Sequence, residues 1–234
     1  HAPKLDWMEQ YFTFKNEFKE KNTLGSQMFS FFKRFLKDAD LLDDNGFTRF
    51  AEIISDIGLD ENLSWALMLA NLAYNPQIGW YICNISFGET MSKEYVCSML
   101  VDSGADEKWV NDVWSSLARI LDLPFSHVGL GEMVKEKNKA VALYRTGWQV
   151  PDERVILYSL YQFSEKCGNF KQFTLTRLLD TSIESDGISP TQIFGLNRDT
   201  MEKVLNGLTF NYPDLIEARF TLGLDNITLK SNKS

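Results

Sequence analysis

The stretch that most constrains the fold lies near the C-terminal end, residues 188–229, ISPTQIFGLNRDTMEKVLNGLTFNYPDLIEARFTLGLDNITL. Asn197 to Leu205 places Met201, Val204 and Leu205 on one side of a helix, and Asn206-Gly207 reads as its stop. Two β-rich runs follow, Ile216 to Leu222 and Asn226 to Lys230, joined by a turn at Gly223-Leu224-Asp225. In the first run Ile216, Ala218, Phe220 and Leu222 alternate with Glu217, Arg219 and Thr221, which predicts a hairpin with Phe220 buried. A short helix followed by a two-stranded hairpin is the outline of a winged helix. Asn197, Arg198 and Lys203 on its helix, with Arg219 and Lys230 on its wing, are the candidate nucleic-acid-binding residues.

The residues before that stretch supply the rest of such a unit. Pro151-Asp152-Glu153 is a helix start, with proline and acids in the first turn. The helix ERVILYSLYQFSEKCG is expected to bury Val155, Ile156, Leu157, Leu160, Tyr161 and Phe163, and Gly168 closes it. Phe173 to Leu179 reads as a short second helix with Thr174 as N-cap.

The first half is mainly helical. Trp7, Tyr11, Phe14 and Phe18 form one apolar stripe, and Met28, Phe31, Phe32, Phe35, Leu36 and Ala39 repeat it after a break at Thr23 to Ser26. Asn62 to Ala73 is apolar nearly all round and is the expected buried centre, ending at Asn75-Pro76. Gly79 to Ile85 fits a strand or a helix equally well. Ser92 to Asp102 and Asp106 to Leu121 are further helices. Pro124 to Lys139 lacks sustained apolar periodicity and reads as a connection. The expectation is a mainly α chain: an N-terminal helical domain over 1–123, a connection over 124–146, and a winged-helix-like domain over 147–234. Little β-structure is expected outside the last hairpin.

Charge narrows the function. The chain has 24 basic and 32 acidic residues, a net charge of -8. General attraction to nucleic acid is therefore absent, and any phosphate contact must be local. Residues 1–142 hold 14 basic and 21 acidic side chains against 10 and 11 for residues 143–234, so a contact is expected in the second half.

Cys83, Cys97 and Cys167 stand far apart without ligand spacing, and no metal site or cofactor is expected. Asp43, Asn45, Gly46 and Glu52 have the spacing of a calcium loop, but Leu41 occupies its first ligand position, so a plain turn is the reading. There is no phosphate loop, HExxH or GxSxG, and no catalytic residue is assigned. No apolar run reaches the roughly 18 residues of a membrane span, so a cytoplasmic protein without membrane contact is expected. The start, His1-Ala2-Pro3, lacks an initiator Met and suggests a fragment of a longer protein or a tag remnant.

Three lines, GWQVPDERVILYSLYQFSEKCGNFKQFTLTRLL, SPTQIFGLNRDTMEKVLNGL and YPDLIEARFTLGLDNITL, resemble the C-terminal accessory region of bacterial phosphoadenosine phosphosulfate (PAPS) reductase-family proteins. The branch is the one allied to DNA phosphorothioation and related defence clusters. FFKRFLKDADLL and LDENLSWALMLANLAYNPQIGWYI look similar to a helical domain that accompanies such proteins. The family's chemistry resides in a nucleotide-binding domain with an SGGxDS-type phosphate loop and, in some branches, cluster-binding cysteines. Neither is present here. The resemblance implies a non-catalytic accessory module that docks the parent enzyme or a cluster protein; the alternative is a winged-helix module contacting double-stranded DNA.

Overall fold

The computed structural model describes residues 3–182, 185–221 and 224–230. The order of elements is α1 Leu5–Phe14, α2 Phe18–Lys21, α3 Ser26–Asp38, β1 Leu42–Asp43, β2 Gly46–Phe47, α4 Arg49–Ile57, α5 Asn62–Leu72, α6 Pro76–Asn84, β3 Thr90–Ser92, α7 Lys93–Asp102, α8 Val110–Leu121, β4 Glu132–Glu136, β5 Lys139–Tyr144, α9 Glu153–Lys166, β6 Gln172–Thr174, α10 Leu175–Leu179, α11 Pro190–Phe194, α12 Arg198–Asn211, β7 Ile216–Thr221 and β8 Leu224–Leu229. The chain is mainly α, with three small antiparallel sheets among the described residues.

Most helix starts follow from local chemistry. Thr48, Asn75, Ser92, Asp152, Thr174, Ser189 and Asn197 each accept a backbone N–H of the first turn into a side-chain oxygen. Asn75 with Pro76 at the first helical position decides the ambiguous Gly79 to Ile85 in favour of helix α6. The α5 helix is the buried centre that its composition predicts. Trp65, Met68, Leu69 and Ala70 are inaccessible, and Trp65 meets Phe125 edge to face at 4.9 Å. One continuous apolar core runs through both halves.

The chain also repeats itself. Residues 76–144 run helix α6, strand β3, helices α7 and α8, hairpin β4–β5, with strand order β3-β5-β4. Residues 153–229 run helix α9, strand β6, helices α10, α11 and α12, hairpin β7–β8, with order β6-β8-β7. In both copies the residue ending the first strand caps the next helix. Ser92 Oγ accepts from Tyr95 N at 3.2 Å, and Thr174 Oγ1 from Arg177 N at 3.0 Å.

Three expectations need correction. The residues around 132–144, read as a connection with little β-structure, form hairpin β4–β5, and β5 also pairs with β3. Met133 and Leu143 pair directly and share one face, and the lysines and alanines around them interrupt the apolar alternation that would mark a strand. The α12 helix does not stop at Asn206-Gly207 but continues to Asn211. Gly207 is used for a close approach: a Cβ there would collide with the Glu153 carboxylate at the start of α9. Phe220 is half-buried, not buried, while Ile216 and Ala218 on the same face are enclosed. The register Ile216↔Leu229 to Thr221↔Leu224 keeps the predicted alternation. The expected turn residue Gly223, like Leu222, His1 and Ala2, lies outside the described residues.

Candidate functional site

The five candidate residues sit on α12 and hairpin β7–β8, but most have local work. Asn197 is the N-cap of α12, accepting Thr200 N at 2.9 Å. Arg198 Nη2 donates to Thr176 Oγ1 at 3.0 Å, and its guanidinium lies 3.3 Å from Glu202 and 3.8 Å from Asp225. Asp225 Oδ2 in turn accepts Thr176 N at 2.8 Å and its hydroxyl at 2.6 Å. Arg198 therefore ties α12 to α10 and to the hairpin.

Arg219 Nε donates to Glu217 at 2.7 Å, and that bond holds the Glu217 carboxyl below its usual range. Lys230 Nζ donates to Pro213 O at 2.5 Å. Lys203 is exposed on α12. The face read as phosphate-binding is thus threaded with acids, and both of its arginines already have carboxylate partners.

The same unit displays apolar surface at another corner. Val150 and Phe210 are 84% and 86% exposed, the most exposed large apolar side chains among the described residues. Val150 lies just before α9, and Phe210 is in the last turn of α12. Asn211 Nδ2 donates to Glu153 Oε2 at 2.8 Å, which brings the two helix ends together. The Gly207 approach packs α12 onto α9 at the same place. Single exposed apolar residues are ordinary, but two large ones on either side of one inter-helix contact make a candidate docking surface.

Two features between the halves escaped the sequence reading. Arg145, 1% exposed, donates through Nη1 to Ile82 O at 2.9 Å and Ile85 O at 3.0 Å, and through Nη2 to Ile193 O at 3.0 Å and to Gln192 O. These carbonyls belong to the C-terminal ends of α6 and α11, which carry partial negative charge. Burial pushes the Arg145 pKa down, and the carbonyls take the place of a carboxylate.

Asn71 on α5 accepts Tyr158 Oη at 2.7 Å and Gln162 Nε2, both from α9, and donates to Ala39 O at 3.1 Å. This network floors a polar cleft of about 680 Å³ rimmed by Asp38, Tyr74, Lys166 and Lys171. Burial, the larger cause, pushes the Tyr158 hydroxyl up to about 12. No group of three or more His, Cys, Asp or Glu with metal-site geometry occurs among the described residues. No described helix is long and apolar enough to cross a membrane.

No family model matches the chain, and no curated protein matches it. A solved structure described as magnesium ion-bound SspB is similar over 98% of this chain and 81% of its own, with a TM-score of 0.69 and 13% sequence identity. At that identity the likeness shows the fold alone.

Proposed function

We propose that the chain is a non-catalytic accessory module built of two winged-helix-like units, each a helix, strand, helices and hairpin. It would serve a PAPS reductase-family protein of a DNA-modification or defence system by docking it through the α9–α12 corner. The observation that carries this reading is the pair Val150 and Phe210, exposed beside the Glu153–Asn211 contact while the neighbouring arginines are held by acids. An exposed aromatic in the last turn of one helix and an exposed aliphatic just ahead of another offer apolar area that a partner can desolvate. Arginines already paired with carboxylates must break those pairs before they can meet phosphate.

The test is a titration of the chain against a purified bacterial PAPS reductase-family protein of the phosphorothioation-allied branch, at low and high salt. A complex that changes little with salt, and that Val150→Ser with Phe210→Ser weakens by about 2 kcal/mol or more, is the expected result. No complex, or one that weakens steeply with salt and ignores the double substitution, rejects the docking reading.

A further inference from the structure

The first unit offers a surface of different chemistry from the docking corner. On α8, Asn111, Ser115 and Arg119 are exposed at four-residue spacing, opposite the buried Val110, Trp114, Leu117 and Leu121. Hairpin β4–β5 packs beside this helix. Trp114 Nε1 donates to Ala140 O at 3.3 Å, and Lys135 Nζ donates to Asp122 Oδ1 at 2.6 Å, just past the end of α8.

The hairpin tip then carries Lys135, Lys137 and Lys139, all exposed. Lys137 and Asn138 make its turn with φ of 46° and 66°, a two-residue loop in the left-handed region. Neither Lys137 nor Lys139 has an ion-pair partner among the described residues.

We infer that duplex DNA is held by this first unit, with α8 presented to the major groove and the lysines of the β4–β5 tip on the phosphates. The charge pattern favours this face over that of α12. Its basic groups project from a hairpin tip with two of the three unpaired, whereas Arg198 and Arg219 are held by carboxylates. Asn111 and Arg119 are donor-bearing side chains of the types that read base edges, Ser115 Oγ, which donates to Asn111 O at 2.8 Å, keeps an acceptor site, and a helix fits the roughly 12 Å major groove. The opposing acids are Asp112 on the flank of α8, Asp122 already taken by Lys135, and Glu132 and Glu136 on β4, the latter across the hairpin from Lys139. They limit the affinity without covering the lysines.

Three phosphate contacts set a slope of log affinity against log salt of at most about -2.7, from ~0.9 per phosphate.

The intact chain would be titrated against a labelled mixed-sequence duplex, and against its single strand, at several salt concentrations. The wild type is expected to bind duplex at low salt with that slope. Lys137→Asn with Lys139→Gln, which removes both charges yet suits the left-handed turn, is expected to weaken binding about tenfold or more and to cut the slope by roughly one per lysine. Lys137→Arg with Lys139→Arg should retain binding. Lys203→Ala with Arg219→Ala on the second unit should leave binding intact, as should Val150→Ser with Phe210→Ser. Absence of duplex binding at low salt overturns the inference, as does binding lost through Lys203 and Arg219 instead. A preference for the single strand, for which exposed Trp109 would offer stacking, also overturns it. The docking titration has a different partner and different substitutions, so either idea can fail alone.

Discussion

Arg145 is a cation enclosed in protein without a carboxylate, and its position explains why that is stable. The C-terminal carbonyls of α6 and α11 have no further helical turn to bond, and the guanidinium fork supplies donors to both ends at once. Replacing it leaves several carbonyls buried and unpaired, which costs more than the hydrogen bonds alone. Arg145→Met is expected to lower the unfolding free energy by about 3 kcal/mol or more, read from urea midpoints at unchanged slope. A loss below about 1 kcal/mol would mean that water reaches those carbonyls. The pairing of Arg198 shows the same dependence on position. Nothing in the local sequence says that its partners are Thr176 and Asp225 rather than a phosphate.

At the scale of elements, the join between the repeats depends on close backbone approach. Trp148 N donates to Phe194 O at 2.7 Å, and Gly147 lies against Gly195 beyond the end of α11. Gly147 has φ of 74°, and a Cβ there would run into the Gly195 carbonyl, which is backbone and cannot swing aside. Gly147→Ala is therefore expected to destabilise by about 2 kcal/mol or more, measured by thermal or urea unfolding. At Gly207, also close-packed, the obstacle is the flexible end of Glu153. Alanine there should change stability by no more than about 0.5 kcal/mol, because helix propensity offsets the displaced carboxylate. Equal losses at the two glycines would refute the distinction between backbone and side-chain obstacles.

For the whole molecule, the halves share a core and a polar seam, so pH should act on both together. Tyr74 and Tyr158 lie in that seam, and burial pushes each hydroxyl up to about 12, from an ordinary phenol near 10. Below about pH 10 both are protonated in either state, and their contribution is complete. Between about 10 and about 12 the unfolded chain loses these protons first, so stability falls as pH rises, by at most about 1.4 kcal/mol per pH unit for each tyrosine. Urea midpoints that stay flat from about pH 9 to about pH 11 would show that water ionises these hydroxyls freely in the folded protein.

What the residues alone determined is what acts over one or two helical turns. Capping oxygens set the helix starts, the apolar run of Asn62 to Ala73 marked the buried centre, and period-two alternation at Ile216, Ala218 and Phe220 placed the last hairpin. The tertiary structure decided whatever depends on distant partners. Hairpin β4–β5 gains its third strand from β3, which pairs along the edge of β5, and packs beside α8 through the Trp114–Ala140 bond, while its lysines and alanines carry little β-preference of their own. The repeat rests on that hairpin and is likewise a matter of tertiary structure. The fold also gives Arg198 and Arg219 acidic partners and sets Lys137 and Lys139 on a projecting turn. A basic side chain's chemistry is fixed by its residue type, but whether it meets a carboxylate, a carbonyl or solvent is a matter of distance, and folding sets the distances.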